Sequence, residues 1–335
     1  PNTLLFDAVD GEISLAQWKA RYKSQPTATD PIATGLATKS TVALIFYKSH
    51  LQSGNTAAFE EFSSLLHATG LIPLTIVVNS LEDTGTRDRV SIILEQSDAQ
   101  LVINTTGFSV CSQENASLSS LPTLDKVPYH GDLPIIQAIA SSSSKEDWLE
   151  YSQGLRARDM AMNVALPELD GRIISRAITF KETRTHSDLC QVDQIIYQLH
   201  KERAQFVALL AQGWASLRNK QDSEKRIALL LANYPTKEGR IGNGVGLDTP
   251  ASVITILQAL AQQGYSVGAI PSDGDKLIDA LLESVTNDLD TLSLRKCNQS
   301  ITVEDYLGFF HTLPEKNQSA VIERWGQPQQ SPKYR

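Results

Sequence analysis

Cysteine is scarce in this chain. Its 335 residues include three, Cys111, Cys190 and Cys297. They lie far apart and form no CxxC pair, which argues against a disulfide framework or a structural zinc site. Such scattered thiols suit a reducing cytoplasm, the expected compartment. Basic residues are outnumbered, 30 against 38 acidic, for a net charge of −8. A phosphate-tracking surface is not expected on that balance, so nucleic acid is not an expected partner. No apolar run approaches the about 18 residues of a membrane span, and no signal peptide is visible. Pro1 is not a natural translation start, so a chain cut from something longer is expected. There is no GxSxG, no GK[ST] after the glycines, and no HxxxH among the six histidines. Serine-hydrolase, P-loop and helical zinc chemistry therefore lack support.

What is present is an architecture used twice. Residues 41–47 (TVALIFY) form an apolar run, followed by the loop KSHLQSGN, a helix over 56–69 and a second run, 72–78 (IPLTIVV). Residues 226–232 (RIALLLA) form another run, followed by the glycine-rich loop NYPTKEGRIGNGVGLD, a helix over 249–263 and a second run at 266–270. Strand, loop, helix and strand in that order predict parallel sheets. The expected fold class is α/β: two Rossmann-like parallel-sheet units joined by a long helix. That helix is read over 188–219 from Val192, Ile195, Ile196, Leu199, Phe206, Leu209, Leu210, Trp214 and Leu217, which recur at steps of three and four. Further strands are expected at 100–104, 133–140 and 173–180. The expected divisions are an N-terminal arm with a short helix (1–38), a first α/β domain (39–181), the connecting helix (182–222), a second α/β domain (223–326) and a tail (327–335).

Ligands of open parallel sheets sit at the carboxyl ends of the strands, so both loops are candidates. Gly239, Gly242, Gly244 and Gly246 allow backbone to approach a ligand or take positive φ. Their GxGxG spacing resembles a dinucleotide fingerprint only weakly, because about ten residues separate them from the strand. Lys237 and Arg240 can meet carboxylates, the fork of Arg240 being better suited. Asp248 and Thr249 before Pro250 read as a helix start rather than as catalysis. In the first loop, His50 is placed to meet a metal or ligand, with solvation the plainer reading, and Asn55 or Thr56 repeats the capping role. Residues 104–108 (NTTGF) end a strand with small hydrogen-bonding side chains. In the turn PELDG, Glu168 and Asp170 lie close enough to share a proton or supply a base. An Asp-Gly β-turn is the plainer reading there.

At these same residues the chain resembles the large subunit of ATP-dependent cobaltochelatase, related to that of magnesium chelatase. The stretches that carry the likeness are FYKSHLQSGNTAAFEEF (46–62), VINTTGF (102–108), MAMNVALPELDGRI (160–173), IALLLANYPTKEGRIGNGVGLDTPASV (227–253) and ERWGQP (323–328). The wording of the glycine loop resembles the cobalt branch. The resemblance implies a tetrapyrrole-binding subunit that inserts Co2+, a substrate, into hydrogenobyrinic acid a,c-diamide in cobalamin biosynthesis. ATP is hydrolysed by separate AAA+ motor subunits, and no resident cofactor is expected on this chain. Arg240, Asn243 and the backbone of Gly242, Gly244 and Gly246 are the expected ring or side-chain contacts, with His50, Asn55, Glu168 and Asp170 secondary. Family members continue into a region of HxGTHG type that this chain lacks, so insertion by the chain alone is not expected. The alternatives are a magnesium chelatase large subunit acting on protoporphyrin, a ligand-binding module without chemistry, and a docking platform for the motor subunits. A nicotinamide enzyme is a distant fourth.

Overall fold

The computed structural model describes residues 2–22, 40–110, 128–129, 131–188, 190–232, 241–242, 244, 246–286, 288 and 290–334. The chain divides into two compact units, Pro1–Asn219 and Lys220–Arg335.

The first unit is built on one eight-stranded sheet. A short hairpin, β1 (Thr3–Asp7) and β2 (Gly11–Ile13), leads into α1 (Leu15–Tyr22). Then come β3 (Thr41–Tyr47), α2 (Lys48–Gln52), α3 (Ala57–Ala68), β4 (Ile72–Val78), α4 (Thr84–Ser97) and β5 (Ala99–Asn104). β6 (Ile135–Ser144) is followed by α5 (Lys145–Glu150), α6 (Ala157–Met160), a π-helical turn (Ala161–Ala165) and α7 (Leu166–Leu169). β7 (Ile173–Ser187), β8 (Val192–Leu199) and α8 (Lys201–Asn219) complete the unit. The strand order is β2-β1-β4-β3-β5-β6-β7-β8. β4, β3, β5, β6 and β7 run parallel, and the hairpin and β8 close the two edges antiparallel.

The central strands β3, β4 and β5 are mostly apolar because both faces are covered. Val42 and Leu44 pack with Phe62 and Leu66 of α3 and with Ala204, Val207, Ala208 and Ala211 of α8. Ala43 and Ile45 pack on the other face with Val90 and Leu94 of α4 and Trp18 of α1. The alanine stripe of α8 lets that helix lie close on the sheet. Helix starts follow their caps: the Asp83 carboxylate accepts from Thr86 N at 2.8 Å, and Ser144 Oγ from Asp147 N at 3.0 Å.

Three expectations need correction. The helix read over 188–219 begins only at Lys201, and its first third is β8, paired antiparallel with β7. Val192, Ile195, Ile196 and Leu199 match a helical period, but Ile195, Ile196 and Tyr197 suit an edge strand, and β7 offers an open ladder. The helix packs on the sheet of the first unit, and among the described residues there is no second sheet for it to join. The hairpin β1–β2, where no strand was expected, extends that sheet beyond β4.

The second unit is helical among its described residues: α9 (Thr249–Gln262), α10 (Gly274–Leu282), α11 (Val303–Phe310) and α12 (Glu315–Trp325). Asp248 caps α9, accepting from Ala251 N at 3.0 Å, and Asp273 caps α10, accepting from Lys276 N at 2.9 Å. Among the described residues the α/β class therefore rests on one mixed sheet. The runs at 226–232 and 266–270, expected as strands, enter no ladder among the described residues, where the unit has only isolated bridges. A strand needs a partner for its backbone groups as well as an apolar pattern, and the described residues supply none.

Candidate functional site

Numbered along the chain, the five parallel strands lie in the order 2-1-3-4-5. In sheets wound this way the connections leave β3 and β5 toward opposite faces, which opens a crevice at their carboxyl ends. Two stretches singled out in the sequence meet there. α2 and Asn55 follow β3, and residues 104–108 follow β5. Tyr47, the last residue of β3, donates its hydroxyl to Gly107 O at 3.2 Å, which ties the two strand ends together.

The floor of this end of the sheet is a buried polar network. Asn104 and Gln137 are register partners on β5 and β6, and Asn104 Nδ2 donates to Gln137 Oε1 at 2.8 Å. Both side-chain amides also donate to Thr106 O, each at 2.9 Å. Arg172, just before β7, donates from Nη1 to Gln137 Oε1 (3.0 Å) and Thr106 O (3.2 Å), and from Nη2 to Phe108 O (3.1 Å). Its charge meets Asp170 at 2.7 Å, with both side chains essentially out of water. Asp170 also accepts from Ser109 Oγ at 2.5 Å and from Val110 N at 3.1 Å. A buried ion pair of this kind is tolerable only when its remaining donors and acceptors are satisfied. Here they clamp residues 106–110 onto the turn before β7.

The clamp holds an unusual residue. Phe108 has φ of 65°, in the left-handed region that a bulky side chain rarely adopts. Its N–H donates to Met162 O at 2.8 Å, while its ring is 46% exposed. Gly107 beside it leaves little room for a side chain, because an added Cβ would lie 3.0 Å from both Met162 O and Asn163 Oδ1, closer than most Cβ contacts. Met162 and Asn163 belong to the π-helical turn, a distortion frequent at functional positions. Nearby, the buried Asp159 carboxylate accepts from Ser141 Oγ (3.0 Å), Ser142 N (2.9 Å) and Asn163 Nδ2 (3.3 Å).

His50 lies on α2, half-buried, its ring 4.8 Å from that of Phe59 and 5.0 Å from that of Tyr197. Burial, aided by the Lys181 ammonium, pulls its pKa down to about 4. The imidazole is thus neutral at neutral pH, the form that ligates metals and accepts hydrogen bonds. Asn55 bridges to the edge strand: its Oδ1 accepts from Tyr197 N at 2.9 Å and its Nδ2 donates to Ile195 O at 3.4 Å. Glu168 is exposed on α7, whereas Asp170 is committed to Arg172, so the two carboxylates face different surroundings. In the second unit Gly242 is buried with φ of 66°, Gly246 has φ of 74°, and Gly244 bridges to Leu247 with Thr249 Oγ1 only 3.0 Å from where a Cβ would stand. Arg240, Asn243, Lys237 and Gly239 lie outside the described residues. Among the described residues no three His, Cys, Asp or Glu side chains are grouped to hold a metal, and no helix is long and apolar enough to cross a membrane.

Sequence reasoning missed Arg172, Gln137 and Tyr197. The one local signal for Arg172 was its position directly after an Asp-Gly turn. A separate cleft of about 390 Å³ opens between α3 and the α1–β1 edge, lined by Phe6, Trp18, Tyr22, Glu60 and His67. Phe46 and Phe59 line it too, and His50 packs against the same two rings.

Comparison with known proteins agrees with the resemblance read from the motifs. Residues 11–335 match the family described as CobN/Magnesium Chelatase. The aerobic cobaltochelatase subunit CobN of Pseudomonas aeruginosa is 46% identical over all of this chain, which spans 25% of that protein. The CobN subunit of a Sinorhizobium species is 37% identical over 96% of the chain and 24% of its own length. The magnesium-chelatase subunit ChlH of Oryza sativa is 26% identical over 86% of the chain. The solved catalytic subunit of cobaltochelatase from Mycobacterium tuberculosis superposes with a TM-score of 0.67 at 31% identity, over 93% of this chain and 26% of that one. The chain thus spans about a quarter of the relatives it matches.

Proposed function

The chain belongs to the CobN/magnesium chelatase family, and from that premise we propose that it forms part of the large, tetrapyrrole-binding subunit of an ATP-dependent cobaltochelatase. The reaction inserts Co2+, as substrate, into hydrogenobyrinic acid a,c-diamide, and ATP is hydrolysed on AAA+ partner subunits. One observation carries the choice of metal: identity to the cobalt subunit is 46% across the whole chain, against 26% to a magnesium-chelatase subunit. The magnesium reading is the alternative.

Insertion requires that a hydrated cation lose water and that two ring nitrogens lose protons, so a gripping surface and a base are both needed. The residues assigned to gripping are Arg240, Asn243 and the backbone at Gly242, Gly244 and Gly246, where positive φ and missing Cβ atoms let amide groups approach an acidic ring substituent. The clamped crest at 106–110 is rigid, and a rigid crest suits orientation of a flat macrocycle better than proton transfer. His50, neutral at neutral pH, and Asn55 stand as secondary contacts.

Spectral titration of the full-length subunit with the corrinoid tests this. Wild-type protein is expected to give a saturable absorbance shift. Arg240→Ala is expected to raise Kd by about tenfold or more, the loss of one charge-assisted contact. Unchanged affinity in the variant removes the glycine loop from the site. A wild-type subunit that ignores the corrinoid but shifts the protoporphyrin spectrum favours the magnesium reading.

A further inference from the structure

Among its described residues the second unit carries strand-type sequence without a strand. Residues 226–230 are exposed in succession, with Ile227 at 52%, Leu229 at 39% and Leu230 at 94%. Of this run only Leu231 packs against the small core formed by Val253, Ile254 and Leu277. Residues 266–270 are likewise unpaired, with Ile270 alone touching that core. The helices share the deficit. Besides those three core residues, only Leu292 and Phe310 are buried apolar residues among the described part of the unit, while Leu294, Ile301, Phe309 and Trp325 are more than half exposed.

An apolar run without polar alternation is the pattern of a strand buried on both faces, inside a parallel sheet with helices above and below. RIALLLA has that pattern, and its order with α9 and residues 266–270 is that of a strand–helix–strand unit. Its unpaired backbone is a template for strand addition. We propose that residues 226–232 and 266–270 are inner strands of a second sheet, completed by β-strands and covering helices from other parts of the same large-subunit polypeptide. Two observations select this occupant. The cobaltochelatase subunits matched are about four times as long as this chain, which covers 25% and 24% of them, so they carry ample additional sequence. And a run apolar on both faces needs cover on two faces and two edges. The edge of a second copy supplies one such side. The inference is independent of which metal or macrocycle the subunit handles.

Amide hydrogen exchange on this chain and on the full-length subunit, under one set of conditions, tests it. Peptides covering 226–232 and 266–270 are expected to exchange on the order of 100-fold more slowly in the full-length subunit. Equal fast exchange in both proteins overturns the proposal, because no strand has formed. Equal slow exchange in both also overturns it, because the cover then lies within this chain or a second copy of it. As an independent readout, Leu230→Asp is expected to leave the melting temperature of this chain unchanged within about a degree and to lower that of the full-length subunit by several degrees. A full-length variant that melts like wild type overturns the proposal.

Discussion

Asp170 and Arg172 are two positions apart, both withdrawn from water, and each answers the other's charge. Removing one leaves the other buried and uncompensated, which typically costs about 3–5 kcal/mol. Asp170→Asn keeps the shape and discards the charge. It is expected to lower the stability of the first unit by that order in denaturant titration, while a double variant with Arg172→Met recovers much of the loss. If Asp170→Asn is neutral, the clamp is not structural and Asp170 returns as a candidate acid or base. His50 makes a second residue-level prediction. Its folded pKa, about 4, lies below the ordinary histidine value of 6.5. The unfolded chain therefore binds more protons between those values, and stability falls as pH drops from 6.5 toward 4. His50→Phe, placed among Phe46, Phe59 and Tyr197, is expected to flatten that part of the pH profile. An unchanged slope assigns the effect to other groups.

At the level of elements, legibility followed the completeness of local information. β3, β4 and β5 were readable because strands buried on both faces announce themselves as short, mostly apolar runs. α9 was readable because periodicity and its Asp248 cap agree; α3 was readable from periodicity alone, since the cap expected from Asn55 or Thr56 does not form and Asn55 bonds to β8 instead. β8 was not readable: an edge strand needs its neighbour, and the neighbour β7 runs seven residues beyond its readable core of 173–180. The candidate site divides the same way. The chain segment 104–108 was visible as a strand end, but what locks it comes from Gln137, Asp170 and Arg172, which lie 31 to 66 residues away in sequence. The left-handed backbone of Phe108 is invisible in a pattern of side chains. It provides a test at this scale. A bulky residue at positive φ costs about 1–2 kcal/mol, whereas glycine there loses about 0.5–1 kcal/mol through chain entropy. Phe108→Gly is therefore expected to hold or raise stability by up to about 1 kcal/mol while removing the exposed ring. A clear loss in thermal melts would show that the ring packs instead of facing a ligand. Retained stability with weakened macrocycle binding would place the ring in the site.

For the molecule as a whole, a repeated sequence architecture produced unequal units. The first unit, Pro1–Asn219, closes its sheet with helices on both faces and buries nearly all of the apolar core. The second, Lys220–Arg335, buries Val253, Ile254, Leu277, Leu292 and Phe310 and leaves large apolar side chains in water. Since apolar burial is what offsets chain entropy, the two units cannot be equally stable. Unfolding of this chain is expected in two steps, the second unit first. Tryptophans separate the steps, because Trp18, Trp148 and Trp214 lie in the first unit and Trp325, 69% exposed, in the second. Limited proteolysis under mild denaturant is expected to degrade the chain beyond residue 220 while a product ending near Asn219 persists. A single cooperative transition seen by every probe, with no persistent product, would mean that the second unit draws its stability from the first.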